Sequence, residues 1–181
     1  MAMRLLSFNK DRIYVALYFN KGENAYHWAL LVSPKTESSP SKATTRYHTA
    51  NKLLLRGGAL RSTWEYEKNA VESAPAGSED AKPFVRILIG KLRGTKAQFE
   101  ASVEKVQILQ DNPEWTCRNW VKDALAQLQK DGVIDSSAKD WDKIEKESIS
   151  YADRKKDEGR LGSWTGTAPT YDLVLGREIV K

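Results

Sequence analysis

An α+β domain, with an antiparallel sheet of about five strands packed against helices, is the fold class this sequence predicts. Three observations carry that expectation. Runs with a two-residue period occupy the chain from Arg12 to Ile89, and runs with a helical period occupy it from Gly94 to Tyr151. Strands followed by helices, rather than alternating with them, indicate an α+β architecture. The third observation is size: 181 residues with a single cysteine suit one core that closes without disulfides. The expected organisation is one domain over residues 1–181, with its core in 12–131 and a peripheral helix and tail in 136–181.

The elements follow in order. Arg12 to Tyr18 alternates, with Ile13, Val15 and Leu17 on one side and Tyr14, Ala16 and Tyr18 on the other. Lys21-Gly22-Glu23-Asn24 is turn chemistry, and Tyr26 to Val32 is a second β-rich run, so the pair reads as a hairpin. His27 belongs to that second strand. The Ser/Pro/Thr/Lys stretch Pro34 to Ala43 reads as a loop, and Thr44 to Thr49 as a third strand carrying His48. Gly57-Gly58 marks a turn into a fourth strand, where Thr63 to Glu67 alternates aromatic with acid. A second loop, Ser73 to Pro83, precedes the apolar strand Phe84 to Ile89.

Helical spacing begins after Gly94, with Phe99, Val103 and Val106 on one face, and Asp111-Asn112-Pro113 stops it. The clearest helix runs from Cys117, with apolar positions 117, 120, 121, 124, 125 and 128, to the Asp131-Gly132 stop. A third helical stretch starts near Ser137, with Asp140 as a capping-box partner and a thin stripe of Trp141, Ile144 and Tyr151 that suits a surface position. In the tail, which contains Trp164, Tyr171 to Leu175 is β-prone and suits an edge strand.

Composition narrows the function classes. The longest apolar run, Trp28 to Val32, falls far short of the about 20 residues that cross a bilayer. Met1 to Lys10 is no secretory leader, and a lone cysteine fits a reducing compartment, so the expected location is the cytoplasm. Residues 1–69 carry eleven Lys/Arg against five Asp/Glu, yet the charges are mixed and no RNP, zinc-finger or helix-turn-helix signature accompanies them, which speaks against nucleic acid as partner. No phosphate loop, G-x-S-x-G elbow or dinucleotide fingerprint occurs, and paired Cys/His spacing for a metal is missing. No cofactor is expected. The oligomeric state is open.

The chemistry-bearing residues are few. Thr116 is a good N-cap and Cys117 would be the first helical residue, where free N–H groups and the helix dipole lower a thiol pKa. A thiolate assisted by an imidazole is a nucleophile, and His27 and His48 are the only imidazoles. A small buried cysteine on the apolar face of a helix is the competing reading. His48 faces the site or the solvent according to a one-residue register difference.

Tyr26-His27-Trp28-Ala29-Leu30-Leu31-Val32 on an early strand, a histidine on the next strand, then Cys117-Arg118-Asn119-Trp120-Val121 opening a helix resembles the permuted branch of the NlpC-like papain superfamily. Lecithin:retinol acyltransferase and the related phospholipase/acyltransferases have a His-Trp-Ala strand before a cysteine helix in this order. A group of small uncharacterised fungal proteins is similar as well. The resemblance covers residues 12–131 and implies a permuted papain-like plan. It implies Cys117 as nucleophile, His27 as general base and His48 as the group that orients the His27 ring. Those acyltransferases have asparagine before the cysteine and Glu-His-Phe after it, where this chain has Thr116 and Arg118-Asn119-Trp120. Oxyanion stabilisation is therefore expected from the Cys117 backbone N–H. Neither end carries a hydrophobic anchor, which points away from membrane-lipid substrates.

The expected activity is a cysteine-dependent hydrolase or acyl-transfer enzyme acting on an amide, ester or thioester bond of a small-molecule or peptide substrate. The alternative is a non-catalytic binding module that holds an acidic partner on its basic N-terminal surface.

Overall fold

The computed structural model describes residues 10–19, 26–35, 44–71, 82–135, 140–160 and 167–181. The expected turn at Lys21-Gly22-Glu23-Asn24, most of the two loops Pro34–Ala43 and Ser73–Pro83, the helix start at Ser137 and Trp164 lie outside these residues.

Five strands come first: β1 (Arg12–Phe19), β2 (Tyr26–Ser33), β3 (Thr45–Arg56), β4 (Ala59–Ala70) and β5 (Val85–Lys91). Three helices follow, α1 (Lys96–Val103), α2 (Cys117–Lys130) and α3 (Trp141–Asp157), and two short strands, β6 (Thr170–Asp172) and β7 (Arg177–Val180), end the chain. Among the described residues seven strands join one sheet in the order β4-β3-β2-β1-β5-β6-β7. The expectation of about five antiparallel strands is thus corrected. Two more strands are added after the helices, and β6 runs parallel to β5, with Arg86 beside Thr170 and Leu88 beside Asp172. The connection between β5 and β6 contains all three helices, as a parallel crossover requires. The tail strand expected at the edge lies inside it, because β7 pairs outside β6.

The alternation read in β1 sorts its side chains between two faces. Ile13, Val15 and Leu17 join Trp28, Leu30, Val32 and Tyr47 in the core beneath the helices, while Tyr14, Ala16 and Tyr18 join Ala29 and Leu31 on the reverse face. α2 supplies Cys117, Trp120, Val121, Ala124, Leu125 and Leu128 to the helix side, every one of them buried. It ends where Gly132 adopts φ 68° and Val133 N–H reaches back to the Leu128 carbonyl at 3.0 Å. α1 is shorter than its apolar spacing suggests. Glu104 caps it, and Lys105 and Val106 fold back onto Ser102 and Val103 in a tighter turn.

α3 differs from expectation in two respects. Asp140 is its N-cap, accepting from Lys143 N–H at 3.1 Å, rather than the partner of a cap at Ser137. It also belongs to the core: Ile144, Ser148, Tyr151, Ala152 and Lys155 are buried. Lys155 is tolerated inside because Glu158, at 2.9 Å, and Glu178 of β7 neutralise its ammonium. The segment expected at the periphery therefore helps close the sheet. No helix among the described residues is long and apolar enough to cross a membrane.

Candidate active site

The site begins where two strands part. Among the described residues β3 pairs with β2 only from Val32↔Thr45 to Leu30↔Tyr47, and beyond Leu30 the start of α2 comes against the β2 backbone. There Trp28 N–H, with no strand partner on that side among the described residues, donates to Cys117 Sγ at 3.4 Å. The sulfur consequently lies within about 6 Å of the His27 Cα, since backbone geometry adds no more than about 2.4 Å to the Trp28 contact.

Strand parity decides where the histidines point. Trp28 faces the helices, so His27 opens to the reverse face with Ala29. Continuing the Leu30↔Tyr47 register puts His48 opposite Ala29, diagonal to His27 on the same face. The rings meet edge to face, with His27 Nε2 and His48 Nδ1 2.8 Å apart. Cys117, His27 and His48 line one open groove of about 1040 Å³, together with Tyr26, Trp28, Arg46, Lys52, Trp64 and Ile149.

The local sequence builds each position. Thr116 is extended at φ −141°, and Asn119 Oδ1 accepts from its N–H at 2.9 Å and from its hydroxyl at 3.1 Å, which fixes the turn that delivers Cys117. Arg118 leans away to Glu145 of α3 at 2.7 Å, and Tyr26 hydroxyl donates to Asp153 at 2.7 Å, so α3 forms one wall of the groove.

Electrostatics differ from expectation at the sulfur. Burial pushes the Cys117 thiol above its ordinary value, and the backbone N–H groups of Trp28, Arg118 and Cys117 pull it down without cancelling that effect. The helix start is present, but Cys117 is only 7% exposed, and desolvation of a thiolate outweighs the helix-end field. His48 moves in the neutral direction as well: burial first, then Arg46, His27 and Lys52, hold it down to about 3.

One residue of the site was missed in the sequence. Glu67 lies directly opposite His48 in the β3–β4 ladder, with Oε2 3.4 Å from His48 Nε2. The contact is out of line with the ring N–H, so Nε2 is buried without a hydrogen bond among the described residues. Lys52 in turn holds Glu67, and reaches Glu65 at 3.3 Å. The signal was available. A two-residue turn at Gly57-Gly58 pairs Arg56 with Ala59, and counting back along both strands pairs His48 with Glu67.

A family profile matches residues 10–180. The chain belongs to the family of unknown function DUF6914. All residues of the groove named above fall inside the span shared with DUF6914. No curated protein and no solved structure matches this DUF6914 chain.

Proposed function

We propose that the chain is a cysteine-dependent hydrolase or acyl-transfer enzyme of permuted papain-like plan, cleaving an amide, ester or thioester bond of a small-molecule or peptide substrate in the cytoplasm. The observation that carries this reading is the pairing of Cys117 Sγ with the backbone of β2 immediately beside His27, whose Nε2 is engaged by His48.

Engagement of Nε2 decides which nitrogen is the base. His48 is neutral, and a proton on its Nε2, facing Glu67, leaves Nδ1 to accept from His27 Nε2–H. The lone pair of His27 is then on Nδ1. Because burial keeps Cys117 protonated, proton transfer accompanies attack: S–H passes its proton to His27 Nδ1 as sulfur bonds to the carbonyl carbon. The oxyanion takes hydrogen bonds from the N–H groups that already surround the sulfur. Collapse breaks the bond to the leaving group, which receives the proton from His27. Water or an amine then attacks the thioester, gives its proton to His27, and restores the thiol. His48 and Glu67 are positioning residues in this scheme.

Incubation with activated aryl esters, followed by mass spectrometry, is expected to find the acyl group on Cys117. His27→Ala should slow acylation about a hundredfold or more at neutral pH, the usual contribution of a general base. Equal acylation of the variant, or none of the wild type, would count against the enzyme. The buried thiol with its raised pKa favours a second reading, a binding module with a basic surface for an acidic partner, and an unreactive Cys117 would select it.

A further inference from the structure

The β3–β4 ribbon continues well past the point where it leaves the sheet. From His48 to Arg56 β3 has β4 as its one strand neighbour among the described residues, a reach of roughly 30 Å at about 3.3 Å per residue. Its root is packed: Trp64 meets Trp115, and Tyr66 meets Trp120 of α2. Its tip is open. Leu55 and Leu60 face each other across the ribbon and Leu53 stands on the same side; Leu53 and Leu55 are each 72% exposed and Leu60 is 68% exposed. Arg56 and Arg61, also exposed, flank the Gly57-Gly58 turn. Residues 50–64 contain three cations and no carboxylate. Lys52 is committed to Glu65 and Glu67 at the root, so the charge of the tip itself belongs to the two arginines.

A soluble domain gains nothing by holding three leucines in water at the end of a projecting ribbon. A second copy of this chain fits the tip poorly, because two tips packed together would gather four guanidinium groups with no carboxylate in residues 50–64 to offset them. Pairing along the β4 edge is obstructed too, since the Gln110 side chain occupies the outer N–H and carbonyl of Trp64 at 3.0 and 2.8 Å. Leucine on one side and arginine on long stems from a ribbon one residue thick match a negatively charged lipid interface, where apolar tips enter and guanidinium groups reach phosphate.

We propose that the tip of the β3–β4 ribbon is a docking surface for an anionic lipid membrane, Leu53, Leu55 and Leu60 entering the headgroup–acyl boundary and Arg56 and Arg61 contacting lipid phosphates. This surface stands on the ribbon alone and is independent of the chemistry proposed for Cys117. Vesicle flotation of the full chain tests it, with phosphatidylcholine vesicles against vesicles mixed with phosphatidylserine. Binding is expected only to the mixed vesicles. Arg56→Gln with Arg61→Gln should weaken it about thirtyfold, from the attraction of two cations near an anionic surface. Leu53→Ser with Leu60→Ser, which changes no charge, should weaken it about tenfold or more. Unchanged thermal unfolding of both variants, expected for exposed positions, ties the loss to the surface. No binding to mixed vesicles, or leucine variants that float like the wild type, overturns the proposal. So does a wild-type dimer that Leu55→Ser converts to monomer, which would assign the surface to a second copy.

Discussion

At the scale of single residues, the site turns on which nitrogen of His48 carries its one proton. Burial and the neighbouring cations keep the ring neutral, and Glu67 is the group that favours the proton on Nε2. Glu67→Gln removes that preference with little change of shape. Nitrogen chemical shifts should then report loss of a single His48 tautomer, and acylation of Cys117 should slow about twofold or more, as the tautomer that accepts from His27 loses its majority. A merely structural role for Glu67 would leave the tautomer signature untouched. The partnership was written in the sequence as a count from Gly57-Gly58, two glycines that both adopt the positive φ this turn demands, at 60° and 80°. The raised thiol pKa was not, because helix position is legible in a sequence while the degree of burial at one atom depends on how β2, α2 and α3 meet.

At the scale of elements, what was legible followed the strength of the period. β1, β2 and α2 carry clean patterns and appear where those patterns put them. β6 has three residues, too few for any period, and its parallel neighbour β5 lies some eighty positions earlier in the chain. α3 hid its inward face behind polar residues, since Ser148 and Lys155 are buried where a pattern counts them as exposed. The stop of α2 was legible from Asp131-Gly132, and it has a measurable cost attached. Gly132 holds φ 68° with open space around an added Cβ, so Gly132→Ala tests backbone strain alone. Urea unfolding should show a loss of about 1 kcal/mol. A neutral result would mean that α2 ends equally well without the left-handed residue.

At the scale of the whole molecule, burying a neutral imidazole at the junction of sheet, ribbon and groove links folding to pH. Unfolding returns His48 to an ordinary histidine value of about 6.5, whereas in the folded chain it stays near 3. Between those values the unfolded state binds the extra proton, so stability rises with pH, is complete above the unfolded value and is lost as pH falls through the window. Between pH 7 and about pH 5 the loss from this residue should approach about 2 kcal/mol, at a limiting slope of about 1.4 kcal/mol per pH unit. Carboxylates such as Glu100 and Glu178, held low by Lys68 and Lys155, add to the same trend only at more acid pH. Urea unfolding at both pH values, compared with His48→Asn, isolates the histidine: the wild type should lose stability on acidification and the variant should lose about 2 kcal/mol less. Parallel behaviour of the two proteins would mean that Glu67, 3.4 Å from Nε2, offsets burial and lets His48 take up its proton without unfolding the chain. The neutral His48 on which the tautomer argument rests would then fail in the acid range, and His27 would face a cation instead of an acceptor.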